Sequence, residues 1–110
     1  MQIQKKDTHI LVIANENSFV DFKSNFDAKF KEFKESNLIV QFSEHINIKT
    51  KDFLVFLEIA KKHTLTKLSF VVVCKTANVD ELPEELNVVP TLQEAEDILE
   101  MEAIERELGF

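Results

Sequence analysis

Glycine is nearly missing from this chain: Gly109 is the only one in 110 residues. Phosphate-cradling loops and dinucleotide turns need glycines where backbone approaches a phosphate or takes positive φ. Both motif classes are excluded. Tryptophan and tyrosine are absent, whereas phenylalanine occurs ten times. Phe brings buried area without a polar handle, so this set reads as core rather than as a recognition platform. The single cysteine, Cys74, allows no disulfide within the chain and fits a reducing compartment. Its place at the end of an apolar run reads as a small buried hydrophobe. Apolar runs extend over a few residues only, far short of a membrane span. Met1 to Asp7 is polar and carries no apolar stretch of the signal-peptide kind. The expectation is a soluble, cytoplasmic protein with no membrane partner.

Arginine is also scarce. Arg106 is the only one, and it is the only base among the eleven acids of residues 80–107. The net charge is −7, with the lysines confined to residues 1–79. An acidic molecule repels phosphate backbones, which argues against nucleic acid as a partner. The acidic end reads as a solvated helix face, with steering toward a basic partner as the second reading.

Convergent histidines are lacking too. His9, His45 and His63 show no H-x-H, H-x-x-H or H-E-x-x-H spacing, so no metal site is expected. They read as surface residues. Glu44-His45 is the one acid–histidine neighbour pair, and adjacent residues in an extended loop point apart. No catalytic residue and no cofactor is expected, and the chain reads as a non-enzyme.

What is present is a clear α/β order. Residues 2–6 read as a short edge strand and 9–14 as a denser one, close enough for a hairpin. Ser18 with Asp21 fits a helix start. Phe19, Phe22, Phe26, Phe30 and Phe33 follow at steps of 3, 4, 4 and 3, all on one helix face. Residues 37–42 form a strand and Ser43 to Lys49 a loop. Thr50 reads as the N-cap of a second helix running to about His63, with Phe53, Phe56, Leu57 and Ala60 on its buried face. Residues 68–74, LSFVVVC, are a central strand. Val79, Leu82 and Leu86 mark an irregular turn near Pro83, and 87–89 a short strand. Thr91 and Glu94 then open the last helix as a capping box.

That last helix carries two apolar stripes. Leu92, Ala95 and Leu99 make one. Ile98, Met101, Ile104 and Leu108 make another, rotated around the axis. One sheet needs only one stripe. Either the last turns bend, or the tail 101–110 packs on another surface. Docking on its own domain is the favoured expectation, and a homodimer seam the alternative.

Strands separated by helices imply parallel crossovers, with the first strand antiparallel at an edge. The expected fold is one α/β domain over 1–110. It has a mixed, mostly parallel sheet of about five strands and helices packed mainly on one face.

From Asn37 to Lys75 the order strand, loop, helix, strand resembles the STAS domain of anti-sigma-factor antagonists and sulfate transporters. The closing VVPTLQEAEDIL is similar to that family's last strand and helix. The likeness in element order covers nearly the whole chain. At motif level, Ile48-Lys49-Thr50-Lys51-Asp52 falls where the family has an apolar residue and then D-S-S-G. Thr50 stands at the phosphorylated serine. Lys49 replaces the Asp and Asp52 the Gly, so the switch is degenerate. The resemblance implies a regulatory protein-binding module with an anti-sigma factor or a kinase as partner. It implies Thr50 as phosphoacceptor and a contact surface of Ser43, Glu44, His45, Asn47, Lys49, Lys51 and Asp52. Small chains of this type also carry the label ribonuclease Z. The H-x-H-x-D-H motif by which that enzyme holds two zinc ions is missing here. Two further readings stand beside the regulatory one: a homodimeric or structural subunit built on the C-terminal helix, and a carrier of a small apolar ligand among the phenylalanines.

Overall fold

Alternating side chains along three apolar strands set the layers of this fold. A computed structural model describes residues 1–109. The strands are β1 (Gln2–Lys5), β2 (Ile10–Ala14), β3 (Leu38–Phe42), β4 (Phe70–Val73) and β5 (Asn87–Val89). They form one sheet in the order β1-β2-β3-β4-β5. β1 pairs antiparallel with β2, and every other pair is parallel. Ile10, Val12, Ala14, Leu38, Val40, Phe42, Phe70 and Val72 point to one face. Leu11, Ile39, Val71 and Val73 point to the other. A strand covered on both sides has no use for a polar alternate position, which is why β2, β3 and β4 read as continuous apolar runs.

The first face carries most of the helices. α1 (Phe19–Lys29) passes into a 3-10 turn, Phe30–Glu32. The next helical stretch has three pieces: α2 (Thr50–Phe53), a 3-10 turn (Leu54–Phe56) and α3 (Leu57–Leu65). Phe22, Phe26, Phe33, Phe53 and Phe56 are buried here, with Phe19 and Phe30 packed against them. The Phe22 and Phe42 rings meet edge-on at 5.0 Å, and Phe26 lies 5.2 Å from Phe33 and 5.8 Å from Phe56. These rings fill the space between α1 and the sheet that an apolar ligand would need.

Among the described residues, the second face carries α4 (Leu92–Glu107) alone, seated through Ala95 and Leu99. The Ser18 side chain accepts from the Asp21 N–H, and that of Thr91 from the Glu94 N–H, so both expected caps form. A 3-10 turn at Val79–Glu81 interrupts the β4–β5 connection.

Three expectations are corrected. The N-cap of α2 is Lys49, and Thr50 is the first helical residue. The Asp52 carboxylate accepts the Lys49 N–H at 3.0 Å, which anchors the turn one residue earlier than a hydroxyl cap would. His63 is a core residue at 3% exposure rather than a surface one, because α3 runs on to Leu65 and keeps it on the inner face. The tail, expected to dock as a whole, does so through Glu102 and Arg106 only, while its apolar stripe is left uncovered; Phe110 lies outside the described residues. α4 is one unbroken helix, and Met101, Ile104 and Leu108 face away from the sheet.

Candidate functional site

Parallel strands leave their connections at a common edge, and in open α/β sheets that edge is where sites collect. Here the edge gathers residues 15–18 after β2, residues 43–49 after β3 and residues 74–86 after β4. Ser43, Glu44, His45, Asn47 and Lys49, expected from the sequence as contact residues, lie on the middle one, while Lys51 and Asp52 follow it in α2.

His45 joins the first two loops. Its Nε2 lies 2.9 Å from the Glu16 carbonyl oxygen, and its Nδ1 lies 3.1 Å from Ser43 Oγ. A carbonyl only accepts, so Nε2 carries the proton, and in the neutral ring Nδ1 accepts from the Ser43 hydroxyl. The Ser43 N–H in turn donates to the Ala14 carbonyl at 3.0 Å. Glu16 is fixed below this strap. Asn25 Nδ2 donates to its carboxylate at 2.8 Å, and the Met1 amine pairs with it at 2.8 Å. Burial works against the charge of Glu16. The amine and the Asn25 amide outweigh burial and hold its carboxyl below the usual range.

The third loop is tied to the second by two contacts. Lys75 Nζ reaches Glu44 Oε1 at 3.3 Å across an exposed gap. Thr50 Oγ1 donates to Glu81 Oε2 at 3.1 Å, while Asn78 Nδ2 donates to Glu81 Oε1 at 2.6 Å. Thr50 is therefore half-buried against an acid, not an open hydroxyl at a helix end. Asn47, Lys49 and Lys51 are exposed, and Asp52 is half-buried as the reciprocal partner of the Lys49 amide. Leu54, one helical turn past Thr50, and Val79, two residues before Glu81, are exposed apolar side chains.

The structure thus sets Ser43, Glu44, His45, Thr50 and Asp52 along one rim, each held by its own local pairing. It adds Glu16, Lys75, Asn78 and Glu81, which sequence reasoning missed. These lie up to 31 residues from their partners in the chain, and no local pattern marks them. Among the described residues, no group of three or more His, Cys, Asp or Glu converges as a metal site. None of the helices there is long and apolar enough to cross a membrane.

A second polar cluster lies at the opposite edge. Ser69, buried just before β4, donates to Glu102 of α4 and accepts from Arg106 at 3.1 Å. It fixes how α4 is rolled on the sheet. A hollow of about 310 Å³ beside it is lined by Thr64, Lys67, Leu68, Glu102, Glu105 and Arg106. Cys74 is buried, and its Sγ lies 3.6 Å from Thr76 Oγ1.

Compared with known families and with curated proteins, the chain matches no family model and no curated sequence.

Proposed function

We propose that this chain is a non-enzymatic regulatory module that binds a protein partner. Its contact surface is the rim formed by residues 43–52 and 75–81. The observation that carries the reading is the Thr50–Glu81 hydrogen bond, which joins two loops into one surface beside exposed Leu54 and Val79. Apolar side chains beside adaptable polar ones, on loops held by a rigid sheet, are what protein recognition uses. The resemblance of this stretch to the STAS domain supports the same surface. It also names the partner classes: an anti-sigma factor, or a kinase acting on Thr50.

The Glu81 contact gives Thr50 a physical role in that reading. A phosphate on its hydroxyl would place a dianion beside the Glu81 carboxylate and remove the donated proton. Like charges at that range repel, and the two loops would part. Modification here would therefore open the rim.

Replacing Lys49 and Lys51 together with Glu tests the surface. Both side chains are exposed and neither packs in the core, so folding should be unaffected. Capture of the partner by the double variant, read by quantitative mass spectrometry against wild type, should fall by about tenfold or more. Equal capture by the two proteins would remove the rim from consideration.

A further inference from the structure

The outer face of α4 is built like a docking surface, and it lies away from the rim proposed above. Met101, Ile104 and Leu108 are 52%, 49% and 67% exposed. Their spacing of 3 and 4 puts them on one stripe of the helix. At about 100° per residue, Ile104 lies roughly 180° around the axis from the buried Ala95. The stripe cannot roll inward, because Glu102 and Arg106 are engaged with buried Ser69 on the sheet side. Met101 and Ile104 form a shallow groove of about 300 Å³ with Asp97, Glu100 and Glu105.

We propose that this stripe docks a basic amphipathic helix of a partner protein. Charge decides the occupant. Every charged side chain bordering the groove is an acid, and residues 80–107 hold one base, which is bound at Ser69. A second copy of the chain would bring the same carboxylates against these and desolvate them without counterions. A helix with lysines flanking an apolar stripe fills the groove and neutralises its edges. This is the helix-in-groove mode of recognition, read at i, i+3 and i+7. α4 enters from β5 and returns along the sheet, so this surface lies at the edge opposite residues 43–52. The two surfaces can therefore be occupied at once.

The probe is a synthetic Leu/Lys peptide with Leu at helical spacing, compared with a peptide of the same composition and scrambled order. Binding to the full chain is followed by calorimetry and by backbone NMR shifts. The expected result is saturable binding with shifts centred on residues 97–108. Met101→Ser/Ile104→Ser should weaken it by about tenfold with unchanged melting, and Glu100→Lys should weaken it while leaving the apolar stripe intact. Equal binding of the scrambled peptide, or no loss in the double variant, would mean charge attraction alone and overturn the proposal. A concentration-dependent dimer in sedimentation, abolished by the same double variant, would overturn it in favour of a seam between two copies.

Discussion

Phenylalanine does at single positions what this sequence has no Trp or Tyr to do. Phe26 touches Phe22, Phe30, Phe33 and Phe56 at ring distances of 5.2 to 5.8 Å. Phe26→Ala should cost about 3–5 kcal/mol in urea unfolding, the usual range for a buried ring and the cavity it leaves. Val20→Ala, on the exposed side of the same helix, should stay within about 0.5 kcal/mol. Phe19, Phe22 and Phe26 were legible as a stripe because helical spacing shows on the sequence itself, whereas Phe30 and Phe33 reach the same core from beyond the end of α1, in and just after a 3-10 turn. His63 was not legible. At a helix end either face is open to it, and only the true end of α3 decides. In the fold its Nε2–H donates to the Ser36 carbonyl at 3.0 Å, and its ring lies against Phe70. Burial holds its pKa below the ordinary 6.5, against the opposing pull of that carbonyl. The unfolded chain therefore takes up the proton first. The stability His63 contributes is complete above pH 6.5 and is lost as pH falls toward the lower folded value. Melting from pH 7.5 to 5 should drop more steeply for wild type than for His63→Gln, whose amide can still donate to Ser36.

At the scale of elements, the helix ends explain both the successes and the misses. The Ser18 and Thr91 caps were readable because each hydroxyl stands three residues before an acid, and each accepts the backbone N–H of that acid. Thr50, with an acid only two residues on, also read as a cap. Asp52, however, takes the Lys49 amide and moves the helix start, freeing the Thr50 hydroxyl for Glu81. The far end of α3 shows what scarcity of glycine costs. Lys67 takes a left-handed conformation, φ 62°, where the Leu68 N–H closes the helix on the His63 carbonyl at 2.7 Å. Glycine is the usual residue for that turn. Relief of the left-handed strain, about 1–2 kcal/mol, exceeds the entropy that glycine adds to the unfolded chain, about 0.5–1 kcal/mol. Lys67→Gly should therefore stabilise the protein by roughly 0.5–1 kcal/mol in chemical denaturation.

For the whole molecule, the sheet followed from the order of elements, because right-handed parallel crossovers leave few arrangements for β-β-α-β-α-β-β-α. The second stripe of α4 was visible in the sequence, but its destination was not. Ser69, Glu102 and Arg106 settle the roll of that helix, and they lie 33 and 37 residues apart in the chain. The rim was legible in one half only. Residues 43–52 stood out by resemblance, whereas Lys75, Asn78 and Glu81 join them through pairings that only the fold creates. The outcome is an acidic domain with its polar rim at one sheet edge and an apolar helix face toward the other.

Lysine-directed crosslinking in the native cell, mapped by mass spectrometry, tests the rim most directly. Lys49, Lys51 and Lys75 stand on it, while Lys61 and Lys62 lie in α3, more than two turns beyond the start of α2. The account predicts inter-protein crosslinks to one recurrent partner concentrated at Lys49, Lys51 and Lys75. Partner crosslinks concentrated at Lys61 and Lys62, with none at those three positions, would contradict it.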